Sequence, residues 1–212
     1  PMELILPSLY SELDGPALDH IVEEIARTDY LSHVTIGLDK ADRDGYERAR
    51  GFFSRLNTPV SILWNDGPRL RAIQTELEER ALGPTEAGKG RNVWYCIGFT
   101  NARGKAEAVA LHDCDIVTYD RSLLARLFYP IANPNFQFEF CKGYYARVAE
   151  GRMNGRVSRL LVTPLLLAME RVLGPSDYLT FMKSFRYPLA GEFSFRRSLI
   201  PELRIPLSLI HI

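Results

Sequence analysis

Residues 108–120, AVALHDCDIVTYD, begin as an apolar run and pass through His112 into two aspartates, Asp113 and Asp115, with one residue between them. A short apolar run closed by acids reads as a buried strand, here 108–115, whose carboxyl end carries the polar groups. The pattern repeats upstream, where MELILPSL (2–9), HVTIGLD (33–39) and VSILWND (60–66) are apolar runs of strand length. Segments of helical period separate them: GPALDHIVEEIART (15–28), GYERARGFFSRL (45–56), RLRAIQTELEERAL (69–82) and RNVWYCIGF (91–99). The first of these has Asp14 near its cap and Pro16 in its first turn, where the missing N–H costs nothing. Near-continuous apolar strands alternating with helices require parallel pairing through right-handed crossovers. The fold class is therefore α/β, a Rossmann-like, mostly parallel sheet flanked by helices.

In open sheets of this kind, ligands bind outside the carboxyl ends of the strands. Asp39, Asn65, Asp66, Asp113 and Asp115 each stand where an apolar run ends. One such acid is ordinarily a turn residue; several on consecutive strands point to a site. The chain also holds a second Asp-x-Asp triplet, Asp42-Arg43-Asp44, followed by Gly45 as in a calcium loop. That loop needs an acid at its first position and a glutamate at its last, and Lys40 and Gly51 stand there instead. It reads as a helix start with solvated acids.

The 212 residues, 46% hydrophobic and 25% charged, suit one compact domain. With a formal net charge of zero there is no basic excess to favour a nucleic-acid or membrane-surface partner. Cys96, Cys114 and Cys141 are dispersed and lack metal-ligand spacing, which predicts reduced thiols and a cytoplasmic setting. MELILPSLY is too short for a signal peptide, and LLVTPLLLAM (160–169) is too short for a membrane span and broken by Pro164.

GPTEAGKGRNVW (83–94) imitates a phosphate loop, because Gly83 and Gly88-Lys89 have the Walker spacing. Gly90 replaces the Ser or Thr that would hold magnesium, and the loop follows a helix rather than a strand, so an NTPase is disfavoured. What remains is a flexible cationic segment ahead of a helix N-terminus, a place that favours an anion.

Five blocks, in order, carry a resemblance: LPSLYSELDGPAL (6–18), GKGRNVW (88–94), HDCDIVTYD (112–120), NGRVSRLLVTPLL (154–166) and YPLAGEFSFRR (187–197). Together they resemble the nucleotide-sugar-dependent glycosyltransferases of the A-type fold (GT-A), specifically the retaining glucosyl-3-phosphoglycerate synthase family. The resemblance implies a metal-dependent enzyme that moves glucose from a nucleoside-diphosphate sugar, UDP-glucose in the favoured reading, to 3-phosphoglycerate or glycerate. It implies that Pro7, Ser8, Leu9 and Glu12 cradle the base and ribose, with Asp39 on the same rim, and that Lys89 contacts the pyrophosphate or base. Asp115 becomes the metal ligand and Asp113 the acid nearer the ribose. Gly155, Arg156 and Ser158 become the acceptor segment, and Glu192 the acid near the reacting sugar. Catalysis would fall to Glu192 and Asp115, with magnesium or manganese as cofactor.

The chemistry supports those roles. A departing nucleoside diphosphate gathers negative charge, which a carboxylate-held divalent cation stabilises, and magnesium needs only one or two carboxylates because phosphate and water complete its shell. Arg156 offers a planar fork to a carboxylate or phosphate, and Lys142, Tyr144 and Tyr145 fall near the same block. His112, at the end of an apolar strand, reads as a packed, hydrogen-bonded histidine rather than a catalytic one. The resemblance stops after ELRIP, giving one domain over 1–206 with a nucleotide-sugar half of about 1–120 and an acceptor half of about 121–206. LSLIHI (207–212) reads as an atypical tail on a short form, with His211 outside any matching metal context. An apolar end of this kind predicts self-association into a homodimer. The competing readings are an inactive nucleotide-sugar-binding fragment, mannosyl transfer from GDP-mannose, and a sugar-1-phosphate nucleotidyltransferase, whose glycine-rich basic loop LPSLYSELDG lacks.

Overall fold

A computed structural model describes residues 1–144, 148–149, 152–153 and 157–203. Along the chain run β1 (Met2–Leu9), a 3-10 turn (Tyr10–Asp14), α1 (Pro16–Ala26), β2 (Leu31–Asp39), α2 (Arg43–Phe53) and β3 (Val60–Trp64). There follow α3 (Pro68–Glu79), α4 (Lys89–Arg103), β4 (Ala108–Leu111), α5 (Arg121–Ala132), β5 (Phe140–Lys142) and a short pair, β6 (Val148–Ala149) and β7 (Arg152–Met153). A π turn (Ser158–Val162), α6 (Thr163–Leu173), α7 (Asp177–Ser184), β8 (Phe193–Arg196) and a last 3-10 turn (Arg197–Glu202) complete the described elements.

The main sheet has the order β3-β2-β1-β4-β8-β5. β1 lies parallel to both β2 and β4, and β2 parallel to β3, as the apolar runs predict. β5 and β8 run antiparallel: Arg196 N–H donates to Glu139 O at 2.9 Å and Gly143 N–H donates to Glu192 O at 2.8 Å, a pairing that reverses along the two strands. The sheet is thus mixed.

Alternation along the strands sorts the core into two layers. Leu4, Leu6, Val34, Ile36, Leu38, Ala108 and Ala110 share a cluster with Leu18, Ile21 and Ile25 of α1 and with Leu124 and Phe128 of α5. The other face meets α4, and Gly37 shows how closely. A Cβ there would lie 1.7 Å from Asn92 Oδ1 and 2.6 Å from Cys96 Sγ, while Asn92 Nδ2 donates to Gly37 O at 2.8 Å. Only glycine admits the helix at this distance.

The chain divides into two compact units, one built from Pro1–Cys141 and the segment beginning at Ser194, the other Lys142–Phe193. In the second unit β6 and β7 pair antiparallel, and Lys183 Nζ meets Glu170 Oε1 at 2.5 Å, tying α7 to α6. Ser158–Val162 forms a π-helical turn, and regular α-helix begins at Thr163 with Pro164 in the first turn, where a missing N–H is tolerated. No helix among the described residues is long and apolar enough to cross a membrane.

Candidate functional site

The carboxyl ends of the strands do not finish together. β4 pairs with β1 only from Met2↔Ala108 to Ile5↔Leu111, whereas β1 continues beside β2 to Leu9↔Asp39. Past Ile5, therefore, β1 has no strand partner on its β4 side, and this break in the pairing is a notch in the sheet, bordered by the loop after β4. The chain leaves β1 toward β2 on one side and returns as β4 on the other, which makes this notch the switch point of the sheet, where α/β folds place ligands.

The strand expected over 108–115 ends at Leu111, so Asp113 and Asp115 occupy the loop beyond it. His112 is the hinge of that loop. Its N–H donates to Ile5 O at 3.2 Å, its ring is fully buried edge-on to Tyr119 at 5.3 Å, and burial pulls its pKa down to about 3. It is a packed, neutral histidine as expected, but among the described residues neither ring nitrogen has a hydrogen-bond partner, which corrects the hydrogen-bonded half of the expectation.

The 3-10 turn after β1 carries Glu12, whose Oε2 accepts the Leu9 N–H at 2.9 Å. Ser8 Oγ donates to Leu9 O at 3.1 Å. Burial raises the Glu12 pKa, the Leu9 N–H and the Ser8 hydroxyl lower it, and the charges of Asp115 and Lys89 push it in opposite directions. The Cys114 thiol is buried and pushed well up by burial, with Glu12 and Asp113 adding to the rise and Ser8 and Lys89 opposing it. Ser8, Glu12, Lys89, Asp113 and Asp115 therefore share one electrostatic neighbourhood.

Lys89 enters from the other layer. It is the first residue of α4, two positions earlier than the helix read from sequence, after Gly88 at φ +147°. Its ammonium forms an ion pair and hydrogen bond with Asp113. Gly37 faces α4, so Asp39, two residues further along β2, and Leu9, in register with it, face the same layer at the rim. Asp39 and Pro7 are buried and Leu9 half-buried, whereas Asp115 is exposed. Asn65 N–H extends the ladder to Leu38 O at 2.9 Å, and Asp66 Oδ2 accepts the Ala41 N–H at 3.1 Å, so Asp66 is occupied as a turn residue.

In the second unit, Glu192 is buried and its carbonyl accepts the Gly143 N–H; a Cβ at Gly143 would lie 3.2 Å from the Glu192 Cβ. Burial lowers the Lys142 pKa and the Glu192 charge raises it, so the two side chains feel each other. Lys142 Nζ also lies 6.0 Å from the Phe193 ring centroid. Ser158 is buried in the π turn, with no hydrogen-bond partner for Oγ among the described residues. Tyr144 is exposed; Tyr145, Gly155, Arg156 and His211 lie outside the described residues. The Lys89–Asp113 pair and the Gly37–Asn92 docking contact had no sequence signal, since both join segments that only the packing of α4 brings together.

The donor set suits a hard cation only in part from protein. Among the described residues no three or more His, Cys, Asp or Glu side chains gather where they could hold an ion. Asp115 is the exposed carboxylate of the notch, and oxygen atoms of a bound diphosphate would have to supply much of the rest.

No family model matches the chain. Crystal structures of glucosyl-3-phosphoglycerate synthase from Mycobacterium tuberculosis superpose with a TM-score of 0.59 at 19% identity, covering 93% of this chain and 57% of that one. A 4-diphosphocytidyl-2C-methyl-D-erythritol synthase from Anaerococcus prevotii superposes at 0.50 with 9% identity, over 93% of this chain and 72% of that one. The fold is that of the GT-A nucleotide-diphospho-sugar transferases. Within that class, glucosyl-3-phosphoglycerate synthase of Persephonella marina is 45% identical over 204 residues, 96% of this chain and 50% of that enzyme. The synthase of Methanococcoides burtonii is 38% identical over 209 residues, 97% of this chain and 51% of that enzyme. The resemblance carried by the five sequence blocks is borne out by these relatives, and the chain spans about half their length.

Proposed function

We propose that the chain acts as a retaining glucosyltransferase that moves glucose from UDP-glucose to 3-phosphoglycerate or glycerate. The observation that carries this is the gathering of Ser8, Glu12, Lys89, Asp113 and Asp115 at the switch point of the sheet. Two relatives named for this transfer support it, as does the fold of a mycobacterial synthase solved with manganese, UDP-glucose and glycerol 3-phosphate.

In this reading the region of about 1–120 receives the donor and that of about 121–206 the acceptor. Pro7 and Leu9 line the base and ribose, with Asp39 beside them on the α4 face of the rim. Glu12, a carboxylate already fixed by the Leu9 N–H, has its other oxygen for a ribose hydroxyl. Lys89 and the N-terminus of α4 meet the diphosphate. A magnesium or manganese ion would be held by Asp115 together with the diphosphate, and when bound it spreads the charge that gathers on the leaving group. The resemblance assigns Gly155, Arg156 and Ser158 to the acid and phosphate of the acceptor, and assigns Glu192, which is buried, to the sugar hydroxyls. The acceptor oxygen attacks the anomeric carbon on the face that the diphosphate leaves, and its proton passes to the departing phosphate oxygen. Positioning by these side chains does most of the work.

The test is calorimetric titration with UDP and GDP, each with and without magnesium, followed by product analysis with UDP-glucose and 3-phosphoglycerate. Metal-dependent UDP binding and formation of an α-linked glucosyl product support the proposal. GDP binding in place of UDP would move the donor to the guanine series. Nucleotide binding with no transfer would reduce the proposal to a nucleotide-sugar-binding role, and transfer only to other acceptors would overturn the acceptor.

A further inference from the structure

We infer that Lys89 is a built-in counter-ion that, paired with Asp113, holds its positive charge beside the cation's place at Asp115 until a diphosphate draws it away, so that cation and nucleotide enter the notch together. The inference rests on the reading of the notch as a nucleotide-diphosphate site. Its physical basis is the repulsion between two positive charges in one notch. An ammonium has three donors and no acceptor, and Lys89 spends one of them on Asp113 Oδ1. Among the described residues, the charges that act on Glu12 and Cys114 are Asp113, Asp115 and Glu12 on one side and the Lys89 ammonium on the other. A divalent cation approaching Asp115 without nucleotide meets the repulsion of this ammonium, held two residues away on Asp113.

The pair is built to exchange. The Lys89 and Asp113 side chains are 34% and 20% exposed, so a ligand in the notch reaches both. Lys89 springs from the first turn of α4, next to Gly88, whose φ of +147° few other residues adopt and around which an added Cβ would meet nothing within 4 Å. The first-turn N–H groups of α4, which lack intrahelical partners, and the lysine ammonium both favour an anion at this helix end. A diphosphate offers the ammonium more negative charge than a lone carboxylate does. Once the ammonium swings to phosphate, its charge is neutralised there and no longer opposes a cation held by Asp115 and the diphosphate oxygen atoms. By linkage the nucleotide then raises cation affinity by the factor with which the cation raises nucleotide affinity.

The experiment measures manganese binding to the chain by the electron paramagnetic resonance signal of free Mn2+, with and without UDP, for the native protein, Lys89→Gln and Lys89→Arg. Removing a unit positive charge beside the ion is expected to tighten Mn2+ binding without nucleotide about tenfold in Lys89→Gln. Lys89→Arg, which keeps the charge, should bind Mn2+ alone as weakly as the native protein. The gain that UDP confers on Mn2+ affinity should shrink in Lys89→Gln. Unchanged or weaker Mn2+ binding by Lys89→Gln alone would overturn the inference and leave the ion pair a staple between α4 and the loop after β4. Failure of UDP to bind the native protein would instead strike the proposed function, and the nucleotide-free comparison would still decide the role of Lys89.

Discussion

Asp42-Arg43-Asp44 and Asp113-Cys114-Asp115 share a spacing, and each follows a parallel strand, β2 in one case and β4 in the other. Asp42 spends its carboxylate within its own turn, accepting the Gly45 N–H at 2.7 Å as the N-cap of α2. Asp113 finds its partner 24 residues away at the head of α4, and Asp115 acts electrostatically on Glu12, more than 100 residues upstream. The first triplet begins a helix. The second begins no helix and borders the switch point of the sheet. What separates them is where β1 outruns its neighbour, a property of strand register that the triplets themselves do not encode.

The comparison breaks most sharply on activity. If the chain transfers glucose as proposed, Asp115→Asn is expected to lower the rate by about three orders of magnitude, a typical cost of losing one stabiliser of leaving-group charge. Asp44→Asn should leave it within about twofold; equal losses at the two positions, read in a coupled UDP-release assay, would erase the distinction.

The second triplet also depends on how α4 docks. Gly37→Ala forces a Cβ into Asn92 and Cys96, and should destabilise the protein by about 3 kcal/mol in urea denaturation. Gly51→Ala in α2, where an added Cβ meets nothing within 4 Å, should be neutral or stabilising by about 0.5 kcal/mol. If the two alanines cost alike, the close approach of α4 to β2 is wrong.

A smaller effect comes from His112, which leads into the second triplet and whose pKa falls to about 3 in the folded chain from an ordinary value of 6.5. The unfolded chain therefore binds a proton that the folded chain refuses, and stability is lost as pH drops from about 6.5 toward 3. Between pH 7 and pH 5 the loss should reach about 2 kcal/mol, at about 1.4 kcal/mol per unit. His112→Phe should flatten that part of the profile, and an unchanged slope would show that the imidazole is not buried neutral.

The smallest effect belongs to the first triplet. Asp42→Ala removes an N-cap and should cost about 1 kcal/mol of stability while leaving UDP affinity unaltered, checked by denaturation and calorimetry on the same preparation.

The parallel part of the sheet was legible because 2–9, 33–39 and 60–66 are apolar runs bounded by helical periods, and such runs have few other uses. The end of β4 was not: His112 is buried like the residues before it, so burial continues after strand pairing has stopped. β5 and β8 hold three and four residues, too few for a period to show, and their antiparallel pairing lies in backbone hydrogen bonds alone. In the notch, the acids and Lys89 were readable as residue types at strand and helix ends. Their mutual engagement was not, because the Lys89–Asp113 pair follows from α4 packing against Gly37, and glycine in a strand announces close approach without naming what approaches.

Whether the loop after β4 is half of a nucleotide-diphosphate site is decided by calorimetric titration of UDP in the presence of manganese into the native chain, Asp115→Ala and Asp44→Ala. Such a site predicts binding by the native chain and Asp44→Ala, and its loss in Asp115→Ala. Undiminished binding by Asp115→Ala, or none by the native chain, would contradict it.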